Sequence, residues 1–572
     1  MSMDTIETKA PDAGSAPHMT PVLDPVTGAV LGRVHTTAPS DVADVVVQVA
    51  RVQPLWALLR LQDRARYMRR MAQAIVDEFG ELRETIAREQ GRPRTEVAVL
   101  ELLVAIDALK WVAHEGASVL GGRGVGVHRS LSLTKRARIA YEPYGVVGVI
   151  GAGSAPFAQP LGQIAGALLA GNGVVFKPAP RASLTGGQIA RVLARAGLPE
   201  GLVRVIHGGA DVGLELAHAR VGVDKLLFTG SPTIGRAVAR ACVSQEKEVT
   251  VELGGKDAML VLSDAHVARV TSGALWAGYA GAGQARGSLE RVYAVPEVYD
   301  RLVARLVAGA RALTVGDPRD PRVQMGPLAS RRRLEHVREL VEDAVARGAT
   351  LHCGGPLERE ALTGLGSLQA SDADAGALAT GHPSADGTRA DGPQPGAFFA
   401  PAVLTGVNHE MRLMREPIGG PVLAVMTVGS VSEAIALAND SAYGLGASVW
   451  TTDRYRGMRI ARELDAGMVW LNDHLPSPAV ARGPWGAAAG SGLGRTLGEA
   501  GLRACAQEKL ITWDPSGSRG LWWGPYDELS ARAAQTAARL RSTRESDRER
   551  AWREGGFALA RVGLRALGRK EG

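Results

Sequence analysis

The stretch YGVVGVIGAG, Tyr144 to Gly153, followed directly by APFAQPLGQIAGALLAGN and then GVVFKPA (Gly173 to Ala179), decides the fold. Two short runs rich in β-branched residues flank a longer segment of helical period, which signals parallel strands joined by a crossover helix. The alternation continues through SLTGGQIARVLARAG, LVRVIHGG, DKLLFTG, SPTIGRAVARACVS and VTVELGG, ending at Gly255. This is the pattern of a doubly wound α/β domain with a Rossmann-type parallel sheet. Earlier helical material lies in LQDRARYMRRMAQAIVDEF (Leu61 to Phe79) and in the segment from Glu84 to Gly116, whose apolar spacing fits packed amphipathic helices.

After His266 a second α/β pattern begins, carried by the segments Tyr293 to Leu313, Pro327 to Ala349 and Ser430 to Asp453. A Gly/Ala/Asp/Pro-rich stretch at about 364–396 has few large apolar groups and no sustained period, so it is expected to be a flexible surface insertion. Beyond Asp514 comes LWWGPYDELSARAAQTAARLR and then charged, helix-forming sequence. No internal repeat is evident.

At 572 residues, with 45% hydrophobic and 22% charged residues, the chain is long enough for two or more domains with a large core. The formal charge of +7 is concentrated at the end, because Ser518 to Gly572 holds twelve Lys/Arg against seven Asp/Glu. An Arg-rich tail on a nearly neutral body argues against nucleic acid as a partner. Three widely separated cysteines, Cys242, Cys353 and Cys505, do not make a disulfide framework and fit a reducing, cytoplasmic setting. The first 20 residues lack a basic n-region and an apolar h-region and are expected to be disordered. No run of about twenty apolar residues is present to span a membrane. No metal site is expected.

Six ordered motifs carry a specific resemblance: VVFKPAP (Val174 to Pro180), LLFTGSPTIGR (Leu226 to Arg236), VTVELGGKDA (Val249 to Ala258), GQARGSLER (Gly283 to Arg291), YGLGASVWTTD (Tyr443 to Asp453) and PWGAAAGSGLGR (Pro484 to Arg495). Together they make the chain from roughly Pro21 to Trp513 resemble the aldehyde dehydrogenase superfamily. The resemblance implies a dinucleotide-binding domain at 21–129 and 146–253, a catalytic-type domain at 254–480, and an oligomerisation sheet from 130–145 and 481–513. Residues 514–572 are left as a basic helical tail. It further implies NAD or NADP as cofactor, and a homodimer or a hetero-oligomer with a related dehydrogenase.

In that family a cysteine thiolate attacks the aldehyde, hydride passes to the nicotinamide, and a glutamate helps to hydrolyse the thioester. The first step needs a soft, partly ionised nucleophile, the second donors for an oxyanion, the third a carboxylate base. Glu252 in ELGGK falls at the carboxylate position. Anchoring on Gly283-Gln284 and Arg291 puts Arg286 where the cysteine belongs, and a guanidinium has no lone pair with which to attack. Ser154 falls at the oxyanion asparagine, where its hydroxyl reaches less far. Losing a nucleophile of this kind costs roughly a millionfold in turnover. Ser288, two residues on, is the nearest hydroxyl but has no local base.

The cofactor positions are mixed. Lys177 matches the family's ribose-binding lysine, although a surface lysine after a strand is the plain alternative. Gly230, Ser231 and Gly235 supply a turn and a helix N-terminus suited to a pyrophosphate. The ribose-binding acid falls on Pro180, Pro417 replaces the nicotinamide-ribose glutamate and Gly419 the stacking phenylalanine, with Glu416 able to serve only after a one-residue slip. Nicotinamide binding is therefore expected to be weakened. If Glu252 and Arg286 are close they should pair and block the meeting point of aldehyde and nicotinamide; alternatively Arg286 binds a carboxylate ligand.

Three readings stand: an aldehyde dehydrogenase-like pseudoenzyme, an active NAD(P)-dependent oxidoreductase with an unrecognised nucleophile, and an assembly or membrane-surface platform acting through the tail. For the last, Trp522, Trp523 and Tyr526 either pack on the body or rest with the basic helix on an anionic bilayer.

Overall fold

A computed structural model describes residues 19–127, 134–219, 222–357, 367–369, 396–475, 480–515, 520, 522–524 and 526–566. The chain divides into two compact units, Met1–Ala117 with Pro143–Ala506, and Ser118–Glu142 with Gln507–Gly572. Met19–Leu23 pairs antiparallel with Val30–His35, so Met19 and Thr20 of the 1–20 segment expected to be disordered are in a strand, and its remaining residues lie outside the described residues.

The first sheet of the larger unit runs in the order Gly492–Leu493, Glu248–Glu252, Lys225–Thr229, Val146–Ile150, Gly173–Lys177, Val203–Val205. All its pairs are parallel except the edge pair made by Gly492–Leu493. These strands are almost continuous apolar runs because helices cover both faces of the sheet. Val175, Leu226, Phe228 and Val251 enter one cluster with Val46 and Val49 from the helix Val42–Ala57. That helix was not singled out in the sequence, since its run of valines resembles strand as much as helix.

The second sheet has the order Thr350–Leu357, Phe398–Thr405, Val422–Thr427, Leu289–Ala294, Asp257–Val261, Gly446–Trp450, Met468–Leu471. Only the Thr350–Leu357 edge is antiparallel. Its core holds Met259, Leu260, Val292, Tyr293, Leu423 and Val449. Leu253 to Lys256 bridges the two sheets, from the end of the Glu248–Glu252 strand to the start of the Asp257–Val261 strand.

Two expected boundaries move. The 481–513 segment does not lie wholly in the small sheet, because Gly492 and Leu493 pair with Glu252 and Val251 in the first sheet. Gly492 has φ +149 and a Cβ built there would stand 2.2 Å from the Val251 carbonyl oxygen, so only glycine lets the two backbones approach this closely. The small sheet consists of Ala506–Trp513, Arg136–Pro143 and Arg123–Val125, the last taken from the segment assigned to the dinucleotide domain. Most of the insertion at 364–396 lies outside the described residues, but Ser367–Gln369 forms a short strand with Thr314–Gly316.

In the smaller unit the helices Glu528–Arg539 and Glu545–Ala566 pack through Ala533, Ala558 and Val562, with Trp522 partly buried against them. Trp523 and Tyr526 are exposed, as are Trp552 and Phe557. Among the described residues no single helix is long and apolar enough to cross a membrane.

The Gly492 contact yields a test. Gly492→Ala should lower stability by about 1–3 kcal/mol, the range for an L-residue forced into a sparsely populated backbone region. An unchanged urea midpoint would show that this edge pairing is not fixed by the glycine.

Candidate active site

The C-terminal ends of the parallel strands in the first sheet bring together Ile150, Lys177, Thr229 and Glu252. Open α/β sheets place their ligand crevices at this end. A cleft of about 500 Å³ lies there, lined by Ser154, Lys177, Gly230, Ser231, Arg286 and Gly419 among others. The loop carrying Arg286 reaches it from the opposite side, just before the Leu289–Ala294 strand of the second sheet.

That loop is tightly shaped. Gly281, Ala282 and Gly283 all have positive φ, and a Cβ on Gly283 would come within 2.1 Å of the Gly420 carbonyl oxygen. Gln284 then ties the turn down, donating to the Gly281 carbonyl at 2.9 Å and accepting from the Ala329 N–H at 2.9 Å. The chain emerges with Arg286 directed at the end of the Glu248–Glu252 strand. Its Nη1 donates to the Glu252 carbonyl oxygen at 2.7 Å, and its Nη2 stands 3.5 Å from Glu252 Oε2.

The two side chains are 8% and 1% exposed, so this ion pair is withdrawn from solvent. Arg286 lines the cleft and Glu252 lies beneath it, which means the guanidinium covers the carboxylate. Gln159, on the helix Ala158–Ala170, donates to Glu252 Oε2 from the other side. Glu252 Oε1 and Arg286 Nε and Nη2 have no hydrogen-bond partner, so the pair is incompletely satisfied. Burial pushes the Glu252 carboxyl up to about 7, against the opposing pull of Arg286 and Arg495.

A buried charge network that the sequence reading missed positions both partners. Arg92 Nε donates to Glu96 at 2.5 Å and its Nη1 to Glu101 at 3.0 Å. Glu96 accepts the Gly281 N–H at 3.0 Å, at the root of the Arg286 loop. Glu101 accepts the Phe157 and Ala158 N–H groups at 3.2 and 2.9 Å, capping the helix that delivers Gln159. One arginine thereby fixes both approaches to Glu252. The only signal in the sequence is a set of charged residues inside a helical stretch, which ordinarily marks a solvated face.

The other expected residues divide. Ser231 caps the Pro232–Val243 helix, accepting from Ile234 N–H at 3.5 Å. Gly235 packs where a Cβ would meet Leu253 at 2.2 Å, so this helix sits close against the strand end. Lys177 is buried, which pushes its ammonium down to about 8 against the pull of Asp211. Glu416 does not face the cleft: its carboxylate is taken by Arg412 at 2.6 and 3.1 Å, one helical turn away. Pro417 and Gly419 line the cleft instead. Glu290, bonded by Lys256 at 2.7 Å, accepts the Ile418 and Gly419 N–H groups and holds this segment in place.

Ser288 also lines the cleft, but its hydroxyl is engaged, donating to the Ala277 carbonyl at 2.8 Å. All three cysteines are buried free thiols, and burial pushes Cys242 and Cys505 up to about 11. None of them lines the cleft. Asp257, also at the cleft, is pushed well above the ordinary carboxylate range by burial and by Glu290.

The aldehyde dehydrogenase family matches residues 13–367 and 369–511. The chain belongs to the aldehyde dehydrogenase family. It is 34% identical over 492 residues to betaine aldehyde dehydrogenase of Cereibacter sphaeroides, covering 86% of this chain and 93% of that one. It is 33% identical over 480 residues to 4,4'-diapolycopene aldehyde oxidase of Methylomonas sp, covering 84% and 83%. A solved aldehyde dehydrogenase of Mycobacterium tuberculosis, complexed with NAD+, superposes with TM-score 0.75 at 30% identity, covering 87% and 95%. The aldehyde dehydrogenase fold of this chain, with its parallel sheets, agrees with the α/β architecture read from the sequence.

Titration of the buried pair can be followed in stability. A carboxyl whose pKa is raised on folding, here from 4.5 to about 7, binds more protons in the native state than in the unfolded chain. Its contribution is greatest below the unfolded value and is lost as pH rises to the folded one. Wild type should therefore lose stability relative to Glu252→Gln between about pH 4.5 and 7 in denaturant titrations at stepped pH. A difference that stays constant across that window would show an ordinary carboxylate.

Proposed function

We propose that this member of the aldehyde dehydrogenase family is a pseudoenzyme for thiol-based aldehyde oxidation and keeps a nucleotide-binding cleft. The observation that carries the reading is the Arg286–Glu252 pair: the guanidinium occupies the position that the family resemblance assigns to the nucleophile, and it covers the carboxylate assigned as base. Each of these groups would have to be free for acylation and hydrolysis to proceed in turn. Arg286 cannot attack a carbonyl, and Glu252 cannot address a water from beneath it. The three thiols lie elsewhere, and the Ser288 hydroxyl is committed to a helix carbonyl.

Nucleotide binding rests on different residues. The Ser231-capped helix N-terminus suits a pyrophosphate, Lys177 supplies a buried cation, and Gly213, Ile234 and Val238 add an apolar wall. A nicotinamide dinucleotide bound there would supply hydride-transfer chemistry, and this chain's part would be limited to holding its adenosine and phosphates.

The test is cofactor reduction with a panel of short and long aldehydes. Wild type should give no NADH or NADPH above a Glu252→Ala control, whereas Arg286→Cys should raise turnover by about a hundredfold or more over wild type, since it restores a nucleophile while freeing Glu252. Wild-type turnover well above that control would overturn the reading.

A further inference from the structure

The cleft is asymmetric in charge at the end where a nicotinamide would lie. Arg333, from the helix Arg331–Ala346, reaches over Gly419 and lines the cleft. A Cβ on Gly419 would stand 2.9 Å from Arg333 Nη1, and Gly419 has φ +58. The arginine therefore fills the space that a side chain at 419 would use, the space in which the family resemblance expects a stacking aromatic. Among the described residues its side chain makes one hydrogen bond, a long one from Nη1 to the Ile418 carbonyl at 3.4 Å.

Arg181 faces the same cleft from the first sheet. It lies across Gly153, where a Cβ would come within 2.3 Å of its Nε. Burial, and after it the positive charge of Arg333, push the Arg181 guanidinium below its ordinary value. Among the described residues neither side chain forms an ion pair. Of the nearby acids, Glu290 is bound by Lys256 yet still favours the Arg333 charge, and Glu252 is paired with Arg286. Deeper still, Arg286 lines the cleft with Nε and Nη2 unpartnered and its side chain more than nine-tenths buried.

Two unpaired guanidiniums converging on one cleft, beyond a capped helix N-terminus and a buried lysine, describe a receptor for a chain of phosphates. Planar guanidinium forks bind phosphate oxygens in pairs, and a nicotinamide ring, cationic when oxidised and neutral when reduced, offers them no anionic oxygens. We propose that this cleft takes a nucleotide ending in free phosphates, an adenosine di- or triphosphate, with Arg181 and Arg333 clamping the terminal phosphate. The adenosine half rests on the nucleotide-binding reading above; the clamp is new. Lys177 and Ser231 then hold the nucleoside and first phosphates, and Arg286 closes the floor. No bond is made or broken in this proposal.

Isothermal titration of the full-length protein with AMP, ADP, ATP, inorganic tripolyphosphate, NAD and NADP tests it. ADP or ATP should bind at least tenfold more tightly than AMP and than either dinucleotide. Arg333→Gln and Arg181→Gln, both at exposed positions, should each remove about tenfold of that advantage while leaving AMP affinity and the thermal midpoint unchanged. NAD binding as tightly as ADP, or arginine substitutions without effect on ATP, would overturn the clamp. Tripolyphosphate binding as tightly as ATP would overturn the nucleotide assignment. Aldehyde-dependent NADH formation by wild type, measured alongside, would instead strike the pseudoenzyme reading, so the two failures are separable.

Discussion

The buried contact between Arg286 and Glu252 is the constraint on which the rest of the site depends. Removing either partner alone would leave a charge stranded in a place where it is almost fully desolvated, a situation that costs several kcal/mol. The surrounding structure is arranged to tolerate both charges together. Arg286 Nη1 is satisfied by a backbone carbonyl, Gln159 supports the carboxylate, and the strand end itself is locked by the Gly230 N–H donating to the same Glu252 carbonyl at 3.0 Å. The fit remains incomplete, since Glu252 Oε1 and two guanidinium nitrogens lack hydrogen-bond partners, and burial raises the pKa of Glu252 against the pull of Arg286.

The pair is positioned by a second buried cluster. Arg92 with Glu96 and Glu101 joins the Gly281 turn to the N-terminus of the Ala158–Ala170 helix, so both segments that reach Glu252 are tied to one arginine. Lys256 with Glu290 does the same for the 416–420 segment at the far wall. The cleft is thus framed by side-chain charges that are themselves satisfied by backbone N–H groups. Arg181 and Arg333 are cationic, line the cleft and form no ion pair among the described residues. Family membership fixes the scaffold, and these few side chains decide what the scaffold can hold.

Much of this is legible in the sequence. The β-branched runs at Val146, Val174, Leu226 and Val249 fall on strands of one parallel sheet, because short apolar runs between helical periods have few other solutions. Lys177, Ser231 and Arg286 were found by motif and stand together at the cleft. Glu416 was not correctly placed, since a local i,i+4 contact with Arg412 captured its carboxylate, a competition that a motif alignment does not weigh. Arg92, Glu96, Glu101 and Gln159 were missed because a buried ion network inside helices reads in sequence like an exposed charged face. Arg181 and Arg333 lie far apart in the chain and come to line one cleft only through the packing of the two sheets. The Val42–Ala57 helix escaped because its valines favour strand locally and are overridden by burial against the first sheet.

The most direct measurement is a double-mutant cycle on the pair, with Arg286→Met, Glu252→Gln and the double variant compared with wild type in urea unfolding at pH 8. A buried, mutually dependent pair predicts a coupling energy of about 1–3 kcal/mol, with the double variant more stable than the sum of the single losses implies. Additive losses with no coupling would mean that Arg286 and Glu252 do not hold each other, and the account of the disarmed site would fall with them.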